Sequence, residues 1–85
     1  MFDSVLVTVR TRSGDFSVDL DIPSKEPLRE LDGKLLEILK TLDGRLFHGW
    51  YGVTLTDAGT NKRLLPDDTL ENAEIWDGSI LYVTN

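Results

Sequence analysis

His48 is the single histidine of this 85-residue chain, which contains no cysteine. To act as a general base it would need a nucleophile and an orienting carboxylate, and no serine motif of that kind accompanies it. The lack of cysteine excludes a thiol nucleophile, a thiolate zinc site and disulfides. A lone histidine in an aromatic segment is more often packed or solvated than a ligand. We therefore predict neither catalysis nor metal binding at His48.

The acidic residues also lack the spacing of a metal site. Asp67-Asp68 falls in a turn-like segment, whereas Asp19 and Asp21 alternate along a predicted strand and should face solvent. Neither pair has the ligand spacing of a calcium loop. The glycines are scattered singly and form no phosphate-binding cluster. We expect a protein that is not an enzyme and that uses no metal or cofactor.

The overall charge limits the classes of partner. Fifteen acidic against nine basic residues give a formal net charge of −6, which opposes binding to the phosphate backbone of nucleic acids. No apolar run approaches the roughly 20 residues of a membrane span, and the N-terminal segment lacks the basic region of a signal peptide. We expect one cytoplasmic domain over residues 1–85, with no nucleic-acid binding and no membrane insertion.

A helix is predicted from residue 27 to residue 42, where apolar side chains fall within an arc of about 100°. Its apolar residues are Leu28, Leu31, Leu35, Ile38, Leu39 and Leu42. Pro27 suits the first helical turn, and either Ser24 or Glu26 is the cap. A left-handed Gly44 should end the helix. We expect a sheet to cover this arc, so that the helix itself contributes little to recognition.

Segments with the two-residue period of strands flank the helix. Residues 4–10 place three valines on one face, and residues 16–22 place four apolar residues inward after a Ser-Gly turn, which predicts a hairpin. Residues 53–57 and 79–84 predict later strands. A hairpin, one amphipathic helix and further strands indicate an α+β fold in which the sheet packs on the helix.

The C-terminal quarter, LLPDDTLENAEIWDGSILYVT, resembles the corresponding stretch of ubiquitin-like proteins. The shared features are an acidic turn after leucine, Thr69-Leu70, an apolar Ile75, a turn at Asp77-Gly78 and a closing strand. The element order of the whole chain is also similar. The resemblance implies a ubiquitin-like β-grasp, with a mixed four- to five-stranded sheet packed on one amphipathic helix.

Two details resemble the small YukD/EsaB proteins of bacterial type VII secretion. Pro27 in the first helical turn is similar to their helix start, and His48-Gly49-Trp50 is similar to a cluster before their third strand. The resemblance implies a stand-alone, non-catalytic accessory component that acts by protein contact and needs no cofactor. Its implied partner is a secretion-system membrane component or ATPase, and we expect a monomer or weak dimer.

The last residues bear on a second interpretation. Ubiquitin and the sulfur carriers of the β-grasp group need a flexible tail ending in two glycines, which the activating enzyme adenylates. The sequence given closes on Thr84 and Asn85, directly after the last predicted strand, so we expect no conjugation. The alternative is a protein modifier or sulfur-carrier relative that has lost its tail or acquires one.

Two surfaces are candidates for partner binding. In the β-grasp order the first and last strands are parallel neighbours, which predicts that Leu6 lies beside Ile80 and Thr8 beside Tyr82. Thr56 should lie alongside, on the face away from the helix. These residues could give the protein a patch of its own, although isolated apolar residues on an exposed strand face are also ordinary.

In ubiquitin, most partners bind an apolar patch on this face of the sheet. Its key positions correspond here to Arg12, Thr56 and Thr84. Because these residues are polar, the usual ubiquitin receptors are not expected to bind. The second candidate surface is the aromatic segment 47–51 with Trp76. There we predict packing for Phe47 and Trp50 and exposure for Tyr51 and Trp76. The partner-binding candidates are Leu6, Thr56, Ile80, Tyr82, Tyr51 and Trp76.

Overall fold

The computed structural model describes residues 3–85 and contains one helix and five strands. The elements are β1 (Ser4–Arg10), β2 (Ser17–Pro23), α1 (Leu28–Leu42), β3 (Thr54–Asp57), β4 (Lys62–Arg63) and β5 (Ile80–Thr84). The strand order across the sheet is β2-β1-β5-β3-β4. β1 and β5 run parallel, and the other neighbouring pairs are antiparallel. The predicted α+β fold with a mixed sheet is confirmed.

The β1–β2 hairpin forms as the alternating pattern predicts. Its register runs from Ser4 opposite Pro23 to Arg10 opposite Ser17. The connecting turn closes with a hydrogen bond from the Thr11 N–H to the Phe16 carbonyl at 3.1 Å. Gly14 adopts φ +81° in this turn, a conformation that glycine takes without steric cost.

The start of α1 is capped by backbone rather than by a side chain. Pro27 occupies the cap position and makes no side-chain capping bond, so neither Ser24 nor Glu26 is the cap. The Leu28 N–H donates to the Asp68 carbonyl, and the Arg29 N–H donates to the Pro66 carbonyl, both at 3.0 Å. The loop after β4 therefore satisfies donors that a helix start leaves free.

One stripe of α1 packs on the sheet. Its buried residues are Leu28, Leu31, Leu35 and Leu39. Ile38 and Leu42 are 43% and 52% exposed, so the prediction that the sheet covers the whole apolar arc is wrong. Ile38 lies about 100° around the helix from Leu39, and Leu42 is the last helical residue. The helix thus keeps two apolar side chains in contact with solvent.

The chain leaves the helix differently from the prediction. Asp43 is the cap residue, and its N–H donates to the Leu39 carbonyl at 2.9 Å. Gly44 is not left-handed, since the glycines with positive φ in residues 3–85 are Gly14, Gly49 and Gly78. A Cβ at position 44 would instead lie 3.2 Å from the Lys40 carbonyl oxygen. Close backbone approach, and not a positive φ, accounts for glycine at this position.

Phe47 belongs to the hydrophobic core, as the sequence predicted. The Asp43 carboxylate accepts the Leu46 N–H at 3.1 Å, and the Asp43 carbonyl accepts the Phe47 N–H at 3.2 Å. These bonds hold a turn that directs the fully buried Phe47 ring inward. The ring packs edge-on against Phe16 and Trp50, at centroid distances of 4.9 and 4.8 Å. Trp50 is half-buried against the core.

Residues 69–75 form one capped helical turn. The Thr69 N–H donates to the Asn72 side chain at 2.9 Å, and the Asn72 N–H donates to the Thr69 hydroxyl at 3.1 Å. At the other end Glu74 has φ +60°, and the Ile75 N–H reaches back to the Leu70 carbonyl at 2.9 Å. This is the hydrogen-bond pattern of a helix C-terminus. It places Leu70 and Ile75 in the core.

Within residues 3–85, no helix has both the length and the apolar character needed to cross a membrane.

Candidate functional site

The face of the sheet away from α1 is open, and its residues alternate with the buried valines of β1. The register places Thr8 opposite Ile80 and Arg10 opposite Tyr82. The predicted pairs, Leu6 with Ile80 and Thr8 with Tyr82, are therefore wrong by two residues. The predicted parallel pairing is confirmed, and so is the position of Thr56 beside Tyr82.

Leu6 lies beside the turn that follows Trp76. Its N–H donates to the Asp77 carboxylate, and its carbonyl accepts the Gly78 N–H, both at 2.8 Å. Gly78 has φ +91°, which fits the predicted Asp77-Gly78 turn. Leu6 is 50% exposed and Trp76 is 63% exposed. These two hydrogen bonds hold the exposed Leu6 beside the turn that follows the exposed Trp76.

Thr56 offers almost no surface to a partner. It lies between Tyr82 on β5 and Arg63 on β4, and its exposure is 6%. The directly opposed residues on both neighbouring strands carry longer side chains on the same face. This burial removes Thr56 from the candidate surface. Ile80 and Tyr82 remain partly exposed there.

The aromatic segment after the helix divides as the sequence predicted. Phe47 faces inward, whereas Tyr51 is 93% exposed. Backbone contact holds Tyr51 in place, since its N–H donates to the Asn85 side chain at 3.0 Å. His48 is exposed on the same segment. A role for Tyr51 in partner binding stays a prediction.

A concave region, separate from the open face, lies between α1 and the edge formed by β3 and β4. Its volume is about 400 Å³. It opens where the chain turns away from β3 after Leu64, at Leu65-Pro66, and its walls are mostly apolar. Arg29 lines it and forms an ion pair with Asp67. The sequence predicted a short apolar segment at Leu64-Leu65 but gave no signal of a groove.

Residues 3–85 hold no cluster of three or more histidine and carboxylate side chains that could bind a metal ion. One carboxyl is perturbed: hydrogen bonds from the Ser13 and Thr11 hydroxyls, at 2.6 and 2.7 Å, lower the pKa of Asp15. These bonds close the β1–β2 turn, so the structure of the turn explains the lowered pKa of Asp15.

Three arginines lie at the open face, and the sequence did not predict that they share it. Arg10 lies opposite Tyr82, and Arg63 lies opposite Thr56. Arg12 lies over the Tyr82 ring at 4.8 Å from its centroid. The alternation of β1 already places Arg10 on the outer face, but the sequence does not show that β4 brings Arg63 to the same row.

A five-stranded mixed sheet crossed by one helix, with an open outer face, defines a ubiquitin-like β-grasp protein. Residues 5–83 match the model of one family, described as the WXG100 protein secretion system (Wss) protein YukD. The chain therefore belongs to the YukD family, and the predicted family is confirmed. No curated protein matched the sequence.

Solved structures of type VII secretion proteins have the same fold. The ubiquitin-like domain of the Mycobacterium tuberculosis type VII secretion system protein EccD1 matches with a TM-score of 0.78 and 21% identity, over 96% of this chain and 98% of that one. The EccD5 ubiquitin-like domain from Mycobacterium xenopi matches with a TM-score of 0.76 and 18% identity, over 95% and 92%.

A third match is a chain of the MycP5-free ESX-5 inner membrane complex in State II. The TM-score is 0.76 and the identity 16% over 96% of this chain, which corresponds to 21% of that longer chain. At such identities the likeness concerns the fold. The predicted ubiquitin-like β-grasp is confirmed by these neighbours.

Proposed function

We propose that this protein is a non-catalytic interaction module of a bacterial type VII secretion system and acts in the cytoplasm through non-covalent contacts. The observation that carries the proposal is the match of residues 5–83 to the YukD family. Support also comes from the two EccD ubiquitin-like domains and from the chain of the ESX-5 inner membrane complex, which have the same fold. The proposed partner is a membrane component or ATPase of the secretion system.

The exposed apolar residues at the end of the open face are the proposed anchors of this contact. Leu6 and Trp76 adjoin the same turn, and Ile80 and Tyr82 follow on β5. Tyr51 adds an exposed aromatic on the segment after the helix. Aromatic side chains are favoured as interface anchors because they bury a large area for little loss of rotamer freedom.

The proposed assembly state is a monomer or a weak dimer. β2 is an edge strand of the sheet, and an exposed edge can pair with another chain. This edge carries Asp19, Asp21 and Pro23. Charged residues and proline disfavour edge-to-edge pairing, so the sequence of β2 supports a monomer.

The test is affinity capture of the tagged protein from membranes of a bacterium that carries a type VII secretion system. We expect native elution to recover a secretion component, and a Tyr51→Ala/Trp76→Ala variant to lose it. Leu65→Ala is the matched control, because Leu65 is also a large exposed apolar residue but lines the groove beside α1. It should retain the partner.

Denaturing gels separate the proposal from the alternative of a protein modifier. A non-covalent partner dissociates in detergent and heat, whereas an isopeptide-linked one stays attached. A linked species that persists on the gel would contradict non-covalent action. Failure of the wild-type protein to recover any secretion component would contradict the proposed function.

A further inference from the structure

We propose that Arg10, Arg12 and Arg63 form a binding site for an acidic segment of a protein partner. The site is called the arginine row below. The inference deepens the proposed function, since it rests on the partner being a protein, and it names the chemistry of the segment that the partner contributes.

The arginine row follows from the register of four strands. Arg10 of β1 lies opposite Tyr82 of β5, Tyr82 opposite Thr56 of β3, and Thr56 opposite Arg63 of β4. Directly opposed residues of neighbouring strands project to the same face. Arg10 and Arg63 therefore flank Tyr82 and the buried Thr56 on the open face, and Arg63, at the sheet edge, also lines the groove beside α1.

Arg12 completes the arginine row from the hairpin turn. Its guanidinium lies over the Tyr82 ring, 4.8 Å from the centroid, and contacts the Asn61 side chain at 3.5 Å. A guanidinium at this distance is attracted to the face of the ring. Tyr82 thus holds one arginine above it while a second lies at its side.

The arginine row takes part in no salt bridge within the described part of the chain. The salt bridges found in residues 3–85 join Lys25 to Asp3 and Arg29 to Asp67. The nearby hairpin carboxylates form no salt bridge with the arginine row: Asp15 accepts the Ser13 and Thr11 hydroxyls, and Asp19 accepts the Thr8 hydroxyl at 2.7 Å. A chain of net charge −6 therefore places three arginines without a salt bridge along one row of its open face.

The acidic residues elsewhere on the open face favour a short protein segment as ligand over a uniformly negative surface. Asp19 lies opposite Thr8, and Asp21 opposite Leu6, so the β2 side of the same face is acidic. A membrane rich in anionic lipid or a nucleic acid would be repelled by these carboxylates and by the net charge. A short acidic stretch flanked by neutral residues can contact the arginine row alone. Arginine forks suit carboxylates, which they bind through two parallel hydrogen bonds.

The test measures binding of a fluorescent oligoglutamate peptide to the full chain. We expect Arg10→Glu/Arg63→Glu to weaken binding by at least about tenfold, since opposing charges at a contact become like charges. Lys34→Glu/Lys40→Glu is the matched control: it changes the net charge equally, on exposed positions of α1. It should weaken binding no more than about twofold, because screening limits the effect of distant charges.

Thermal unfolding followed by circular dichroism checks that each variant folds. If the double variant does not fold, Arg12→Glu replaces it, because Arg12 is exposed at a turn. Equal losses in the arginine and lysine variants would overturn the inference, since binding would then follow net charge alone. Absence of oligoglutamate binding would also overturn it, as would arginine-dependent binding confined to phosphatidylglycerol vesicles or to an oligonucleotide.

The capture experiment separates this inference from the proposed function. If the wild type recovers no secretion component but oligoglutamate binds at the arginine row, the proposed function fails and the acidic-segment site stands. If the wild type recovers a secretion component and Arg10→Glu/Arg63→Glu recovers it equally, the arginine row is not the contact. In that case the proposed function stands and this inference fails.

Discussion

The two faces of the sheet are built from alternate residues of the same strands, yet they differ in kind. On β1 and β5 the inner residues Val9 and Leu81 are fully buried under the helix, whereas their neighbours Arg10 and Ile80 remain partly exposed. The inner face is wholly apolar on these strands. The outer face mixes apolar residues, carboxylates and arginines. Folding free energy therefore comes mainly from one face, and the other is free to carry recognition chemistry.

The helix, like the sheet, has one buried side and one exposed side. Leu39 is fully buried, while Ile38 next to it and Leu42 at the helix end are exposed. The exposed pair shows that the sheet does not cover all of the apolar arc. The helix therefore leaves a small apolar surface of its own exposed to solvent.

The largest expected contrast lies in the aromatic segment. Phe47→Ala should lower the free energy of unfolding by about 3–5 kcal/mol, because it removes a fully buried ring and leaves a cavity. Tyr51→Ala should change it by less than about 0.5 kcal/mol, since that side chain is almost entirely exposed. Urea unfolding measures both. Similar losses in the two variants would show that the segment does not divide between core and surface.

A smaller contrast is expected within the helix. Leu39→Ala should cost about 2–5 kcal/mol, the range for a buried leucine. Ile38→Ala should cost less than about 1 kcal/mol, because much of its side chain already meets solvent. Both substitutions introduce alanine at neighbouring helical positions, so helix propensity differs little between the two variants. Equal costs in urea unfolding would mean that Ile38 is packed, and would restore the predicted apolar arc.

The sequence predicted the fold better than the contacts within it. The spacing of apolar residues identified the hairpin, the helix and the last strand, because burial of one face leaves a strong periodic pattern in the sequence. The β1–β5 register was wrong by two residues. A shift of two keeps every side chain on its own face, so the apolar pattern cannot distinguish the two registers. The turn at Asp77-Gly78 sets the register instead, through its bonds to Leu6.

The candidate surface was predictable in part. Exposure of Tyr51 and Trp76 followed from the small number of large residues that the core can hold. Burial of Thr56 and the placement of Arg63 in the row with Arg10 depend on β4, a strand of two residues. So short a strand carries no periodic signal, and its partner cannot be found from alternation. The cap of α1 was missed because Pro66 and Asp68 supply it through backbone carbonyls, which any sequence provides.

The smallest expected effect concerns Gly33, on the exposed side of α1. Its φ is not positive, and a Cβ built there would meet no atom within 4 Å. Gly33→Ala should therefore raise the free energy of unfolding by about 0.5–1 kcal/mol, because alanine loses less backbone entropy in a helix. Gly78→Ala is the contrasting variant. It also has free space, but its φ of +91° should make alanine cost about 1–2 kcal/mol.

Thermal and urea unfolding of the two glycine variants measure the change in stability. They test whether the exposed side of the helix is optimised for stability. A gain for Gly33→Ala would show that stability remains unoptimised on the exposed side of the helix, as natural proteins often leave it. A loss would mean that the bare backbone at position 33 is needed in the folded chain. If instead Gly33→Ala stabilises the protein but weakens capture of the secretion partner, the outer side of the helix joins the recognition surface together with Ile38 and Leu42.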